Sequence, residues 1–398
     1  MSYSLQAIYT NATWAMATHS QALGRLQDQV ATGQELNRMS DNPTYGSRIL
    51  DLKADSRSKE QYIGAINEAI SVLELSSSVI QSISDELIRA RASLTSVMSG
   101  IGNEGGRNTL ATDINNALEQ IVSLVNTTRL GYSLFGGANT EVVPYATERN
   151  SAGEITRVIY QGSCEERKVD VAPGVQMSSV LNGEDLFKPT GPREYVFFGS
   201  TGAAIGRGTS SVRGDVMLTV GGGPGAYTLS IDGGITTVTM TGSTPPDDNL
   251  PVTHAKTGEV IYIDATKITS TGTEPIRVEG TYDIFNIFIN VRDVLRNENN
   301  LPDETVKEML TAALDSLAAV DQKLVQAFPI IGGRIGTLTS LGEGLKDTQV
   351  SADEEIARLQ DADITKVAVD LARHQLLYEM SLSVAARMFS LSFLDFIS

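Results

Sequence analysis

Residues Ile364 to Phe389 read ITKVAVDLARHQLLYEMSLSVAARMF, and their pattern decides the fold. Apolar or small side chains recur at spacings of three and four through Ile364, Ala368, Leu371, Tyr378, Leu382, Ala385 and Phe389, with Gln375 the one polar interruption, which is a seam of coiled-coil type. A helix over this stretch is roughly 40 Å long at ~1.5 Å per residue, so its partner must be long as well. The matching spacing lies at the other end of the chain, where Ile8, Ala12, Ala15, Ala22 and Leu26 repeat, with His19 in the seam and Leu23 and Val30 beside it. The two termini are therefore expected to pair.

Charge patterning sets these ends apart. From Met1 to Gly24 there is no Asp, Glu, Lys or Arg, and from His374 to Ser398 the charged residues are Glu379, Arg387 and Asp395. An exposed helix normally carries a charged face, so ends without one point to burial by other subunits. The residues assigned to that subunit interface are Ile8, Ala15, Leu23, Leu26, Leu371, Tyr378, Leu382 and Phe389.

Between the ends the chain changes texture twice. A glycine stop at Gly33 and the capping run Ser40-Asp41-Asn42-Pro43 predict a second helix from about Thr44, whose seam of Leu52, Ile63, Ile66, Ile70, Leu73, Ile80, Leu87, Leu94 and Met98 lasts until Gly100. A third helix from about Arg107 ends near Asn126. From Gly136 to about Gly280 the sequence turns to glycine, threonine and valine, with strands expected at 158–160, 169–171, 216–220, 227–231 and 260–263, a hairpin turn at Asp232-Gly233, and a division near Gly191-Pro192 or Thr244-Pro245-Pro246. Helix returns at Tyr282, breaks at 297–302, and resumes with Val306, Leu310, Ala313, Leu317, Val320, Leu324 and Ala327 up to Pro329, after which 334–358 leads into the terminal helix.

The fold expected is mainly α with inserted β: an elongated coiled-coil rod formed by both terminal segments, with a β-rich domain or domains at its tip. Its parts are 1–43 with 358–398 for assembly, 44–140 with 282–357 for the rod, and 141–281 for the outer β region.

Composition excludes several functions. A formal charge of −17 argues against nucleic acid as a partner. A single cysteine, Cys164, allows no intramolecular disulfide, and no basic-then-apolar leader or run of eighteen apolar residues marks a secretory signal or a membrane insertion. The glycine runs at 206–208 and 221–225 lack the residues of a phosphate-binding loop and read as turns. His19, His254 and His374 are far apart in sequence, with no metal-ligand spacing, and no nucleophile has a base beside it. No catalytic, cofactor or metal site is expected, and the chain is not expected to be an enzyme.

Several motifs resemble the flagellin family of bacterial axial proteins, and within it the branch that joins hook to filament. They are Ala31-Thr32-Gly33-Gln34 through Ser40-Asp41-Asn42-Pro43, Leu110-Ala111-Thr112-Asp113, Tyr132-Ser133-Leu134-Phe135-Gly136-Gly137, Gly333-Arg334-Ile335-Gly336, and the ending Met388 to Phe396. The resemblance covers about 250 residues at the two ends. It departs at Gln34, where a basic residue is common, and in the longer middle. It implies export through the flagellum's own type III channel without a cleaved signal, a cytoplasmic export chaperone, and self-association in a tubular layer between hook-associated protein 1 and flagellin. A filament-forming flagellin, or an adhesin binding glycans through 141–281, is the alternative.

Overall fold

The computed structural model describes residues 2–38, 42–99, 104–188, 192–240 and 247–397. The helices are α1 Ser2–Thr32, α2 Pro43–Ser99, α3 Glu104–Val125, α4 Gly183–Phe187, α5 Ile284–Arg296, α6 Asp303–Gln360 and α7 Ile364–Ile397. Between α3 and α4 lie the strands β1 Thr128–Arg129, β2 Tyr132–Ser133, β3 Tyr145–Arg149, β4 Ile155–Tyr160, β5 Lys168–Ala172 and β6 Val175–Ser178. Between α4 and α5 lie β7 Tyr195–Phe197, β8 Ala204–Ile205, β9 Gly214–Gly223, β10 Ala226–Ser230, β11 Val238–Thr239, β12 Leu250–Thr253, β13 Val260–Asp264 and β14 Gly272–Val278. The chain divides into two compact units, 1–64 with 340–398 and 65–339, and α2 and α6 each contribute to both.

The helix boundaries follow local chemistry. Gly33 takes a φ of 70°, the left-handed conformation that ends α1. Asn42 caps α2 by accepting from the Tyr45 amide at 3.2 Å, while Ser40 and Asp41 lie outside the described residues. Asp283 caps α5, and Asn297 closes it at a φ of 48°. Pro329 does not end a helix as expected, because α6 runs through it. The proline frees only the carbonyl one turn earlier, on Val325, which is exposed to water, while Leu324, Ala327 and Ile331 remain buried on the other face. The continuity expected into the terminal helix fails instead at Asp361.

In the larger unit the α2 seam is buried at Ile66, Leu73, Ile80, Ile83, Leu87 and Leu94, and the α6 seam at Val306, Leu310, Leu317, Val320 and Leu324. By length and composition α2 is apolar enough to cross a bilayer, a property that counting consecutive apolar residues does not register, but a core helix passes the same test. Ser84 donates to Asp321 at 2.6 Å, linking the two helices.

The β stretch is not uniform. Its first part is built into the helices: Tyr145 of β3 stacks 4.8 Å from Phe285 of α5, and the buried Arg292 of α5 donates to the Ile155 carbonyl and to Asn115 of α3. Its second part is a sandwich of a five-stranded sheet, in the order β11-β10-β9-β14-β7, and a three-stranded one, β12-β13-β8. Leu218, Leu229, Val252, Ile261, Ile263 and Ile276 fill the space between them. The division falls between Phe187 and Tyr195, a span that contains Gly191-Pro192. Gly191 and the Thr244-Pro245-Pro246 run lie outside the described residues.

Both glycine runs are structural. Pro224 and Gly225, the latter at a φ of 89°, turn β9 into β10, and a Cβ on Gly222, which pairs with Tyr227 at a φ of 81°, would lie 2.3 Å from the Ala226 carbonyl oxygen. A Cβ on Gly208 would strike the Tyr262 ring at 2.2 Å. Asp232-Gly233 opens a longer loop rather than a two-residue turn, because the Asp232 carboxylate reaches on to the amides of Thr236 and Ala255.

A buried cation ties the sandwich to α6. Arg277 of β14, 1% exposed, lies 4.1 Å over the Tyr282 ring and 3.6 Å from Asp215 of β9, and it donates to the Ala312 carbonyl and Ser316 hydroxyl of α6. Burial pushes the Asp215 carboxyl up, against the pull of Arg277 and a hydrogen bond from Tyr282. Arg277→Leu should therefore destabilise the protein by roughly 3–5 kcal/mol in urea unfolding at neutral pH, because it strands a buried carboxylate. Without Arg277 the native carboxyl titrates still higher, so the loss should grow as pH rises above about 4, the unfolded value, and shrink below it. A second change, Asp215→Asn, should recover most of the loss.

Candidate assembly interface

The smaller unit is a pair of long helices at each level. Arg48 of α2 pairs with Glu355 of α6 at 3.0 Å, Ser56 donates to Asp353 at 3.1 Å, and Lys53 to Gln360 at 2.9 Å. Beyond this pair both strands break together. The Glu35 amide donates to Gln360 at 2.7 Å and the Ala362 amide to Gly33 at 2.9 Å, so Gln34 and Asp361 form a two-residue antiparallel bridge. On the far side α1 and α7 pack on each other antiparallel, with His19 meeting His374.

The seam of α1 is the one its spacing predicts. Leu26 is buried, and Ala12, Ala15, His19, Ala22 and Leu23 are half-buried, while Val30 is exposed. Alanine at three of these six contact positions lets the backbones approach closely but buries little apolar area, so this pair gains less per residue than a leucine seam. The seam of α7 is shifted. It runs through Val367, Leu371, His374, Tyr378, Ser381 and Ala385, whereas Ile364 and Ala368 are exposed and Leu382 is 45% exposed. Leu382 is therefore not in the helix pair, because Ser381 and Ala385 take the contact positions in that turn. The side chains of Ile8 and Phe389 lie outside the described residues.

The structure brings Ala15, Leu23, Leu26, Leu371 and Tyr378 together inside one chain. What it leaves uncovered on α7 is a second stripe, Val369, Leu376, Met380 and Val384, recurring at seven and four on the face turned away from the seam. Trp14 of α1 is 71% exposed. Large apolar side chains held in water along a helix are the mark of a surface made to be covered. The uncharged character of the ends pointed to such a surface, but the heptad pattern picked the stripe already used within the chain. Among the described residues no group of three or more His, Cys, Asp or Glu is placed to hold a metal ion.

Residues 4–140 match the bacterial flagellin N-terminal helical region. Over that stretch, about a third of the chain, the protein is similar to the flagellin family. The chain is also similar to flagellar hook-associated protein 3 of Escherichia coli, 25% identical over 188 residues that make up 47% of this chain and 57% of the relative. The protein of the same name in Salmonella typhimurium is 25% identical over 194 residues, 48% of this chain and 61% of the relative. The chain thus spans about three fifths of the length of the curated relatives it matches. Flagellar hook-associated protein 3 of Legionella pneumophila superposes with a TM-score of 0.52 at 16% identity, covering 78% of this chain and 98% of that one, which shows a shared fold. The flagellin-like motifs sit where the fold needs them. Phe135 is fully buried, a Cβ on Gly137 would lie 2.2 Å from the Ser163 carbonyl oxygen, and Arg334 grips Glu166 through two contacts of 2.9 and 2.8 Å.

Truncating Leu26, the buried leucine of the α1 seam, should cost about 2–3 kcal/mol, the low end for a buried leucine because the surrounding alanines leave room to relax. Hydrogen exchange should localise the loss to α1 and α7, with the protection of α3 and α5 unchanged. Equal loss in α3 would show that the helix pair is not a separate folding element.

Proposed function

We propose that the chain is a structural component of the bacterial flagellum that joins the hook, through hook-associated protein 1, to the flagellin filament. The observation that carries this reading is that both curated relatives, matched over nearly half of this chain, bear the name flagellar hook-associated protein 3. The mechanism is assembly rather than catalysis. Residues 1–43 with 358–398 form the assembly part, 44–140 with 282–357 a coiled-coil rod, and 141–281 the outer β region. In a tubular layer of subunits Ile8, Ala15, Leu23, Leu26, Leu371, Tyr378 and Phe389 hold the ends in place, and the exposed Leu382, with the uncovered stripe from Val369 to Val384, meets neighbouring subunits. Burying such stripes drives association, and the low charge of both ends removes the desolvation cost that ionised groups would add. Export by the flagellar type III system, without a cleaved signal, and a chaperone that covers the C-terminal helix in the cytoplasm complete the proposal.

A strain lacking the protein should carry hooks without filaments, with flagellin free in the medium, when viewed by electron microscopy. Filaments of normal length on that strain would refute the junction role, and loss of the filament material itself would favour the flagellin reading. Leu376→Asp, on the uncovered stripe, should leave the isolated protein folded by circular dichroism yet fail to restore motility.

A further inference from the structure

We propose that His19 and His374 form a binding site for one divalent transition-metal ion of the zinc class, linking the first helix of the chain to the last. The two Nδ1 atoms are 3.2 Å apart and the ring centroids 5.4 Å, with the rings tilted by 55°. Two imidazole nitrogens on one zinc ion, at ~2.0–2.1 Å each and the tetrahedral angle, are separated by about 3.3–3.4 Å, and in octahedral geometry by about 2.9–3.0 Å. The observed spacing falls between these, and because the two nitrogens face each other nearly head-on, a rotation of both rings about their side-chain torsions is what turns the two lone pairs onto one ion.

Without metal the same distance suits one hydrogen bond, in which one ring carries its proton on Nδ1 and the other on Nε2. Metal binding moves the first proton from Nδ1 to Nε2 through solvent, leaves both rings neutral, and frees two Nδ1 lone pairs for the ion. No proton is gained or lost. Apart from His19, α1 has no charged side chain before Arg25, and on α7 the titratable groups within one turn of His374 are Asp370, Arg373, Tyr378 and the neighbouring turn's Glu379, of which Arg373 is exposed. Leu23, Leu371 and Tyr378, half-buried around the pair, keep the rings in the seam. With no third protein ligand among the described residues, water fills the remaining positions, so the ion is exchangeable. His254 is a different case, because its Nδ1 accepts from the amides of Lys256 and Thr257.

Sequence spacing could not reveal this site, since its two ligands are 355 residues apart. Its physical effect follows from mass action: an ion that binds the closed helix pair and not the open one stabilises the closed form.

The test is calorimetric titration of the full chain with zinc chloride at neutral pH, where neutral imidazole is available as a ligand. One ion per chain should bind in the micromolar range, and the imidazole nitrogen resonances of His19 and His374 should shift while those of His254 stay. His19→Gln and His374→Gln should each weaken binding at least about tenfold, whereas His254→Gln should leave it unchanged. No heat up to millimolar zinc, or binding that survives both substitutions, overturns the proposal. Should the variants misfold, electron paramagnetic resonance of the wild-type chain with one equivalent of copper(II) decides: superhyperfine splitting from two nitrogens supports the site, and splitting from one or none overturns it.

Discussion

Antiparallel pairing of α2 with α6 is the interaction on which the rest of the structure depends. Bringing His19 to His374 across 355 residues of flexible chain would cost about 5 kcal/mol of closure entropy, more than an alanine-rich seam readily returns. Once α2 and α6 lie side by side, with Arg48 on Glu355 and Ser56 on Asp353, the breaks after Thr32 and Gln360 are already neighbours, and α1 and α7 have only to zip onward. The same pairing, read in the larger unit at Ser84 and Asp321, requires everything from α3 to α5 to leave one helix and return to the other. An inserted β region is the form that such a return takes when it is long.

Much of this was legible in the sequence because period and punctuation are local signals. Helix order, the stop at Gly33, the start at Pro43 and the strands around 216–231 and 260–263 all came from spacing and turn chemistry. What failed did so for identifiable reasons. Strand β14, central in its sheet between β9 and β7, went unseen because it contains Glu274, Pro275 and Arg277, residues that read as loop. Each is accommodated by a contact distant in sequence. Glu274 accepts from the Thr201 hydroxyl at 2.7 Å, Arg277 reaches α6, and Pro275 faces its missing amide toward the end of β7, whose register stops at Phe197.

The helix pair inside the chain follows the expected seam on α1 and departs from it in detail on α7. Both ends avoid charge, and that alone pointed to a covered surface. On α7, however, apolar side chains occupy more than one stripe, and a three-four repeat can be drawn through either side of Leu371. The repeat drawn from the sequence passes through Leu382 between Tyr378 and Ala385, while the helix pair uses Ser381 in that turn. Hydropathy prefers leucine to serine, but close approach of two backbones prefers the smaller side chain, and here the second criterion governs.

The joint between the two helix pairs has a mechanical consequence. Both strands are interrupted at the same level, and there they are held by main-chain hydrogen bonds from Glu35 to Gln360 and from Ala362 to Gly33. Bonds of that kind do not depend on which side chains are present, so apart from Gly33, whose left-handed φ favours glycine, the amino acids at this level are free to drift while the link persists. They also lie across the strands, not along them. A transverse load applied at one end is absorbed by rotation about Gly33 and its neighbours, whereas a pull along the axis meets two strands locked in register. The chain is therefore compliant in bending and stiff in tension at one defined level.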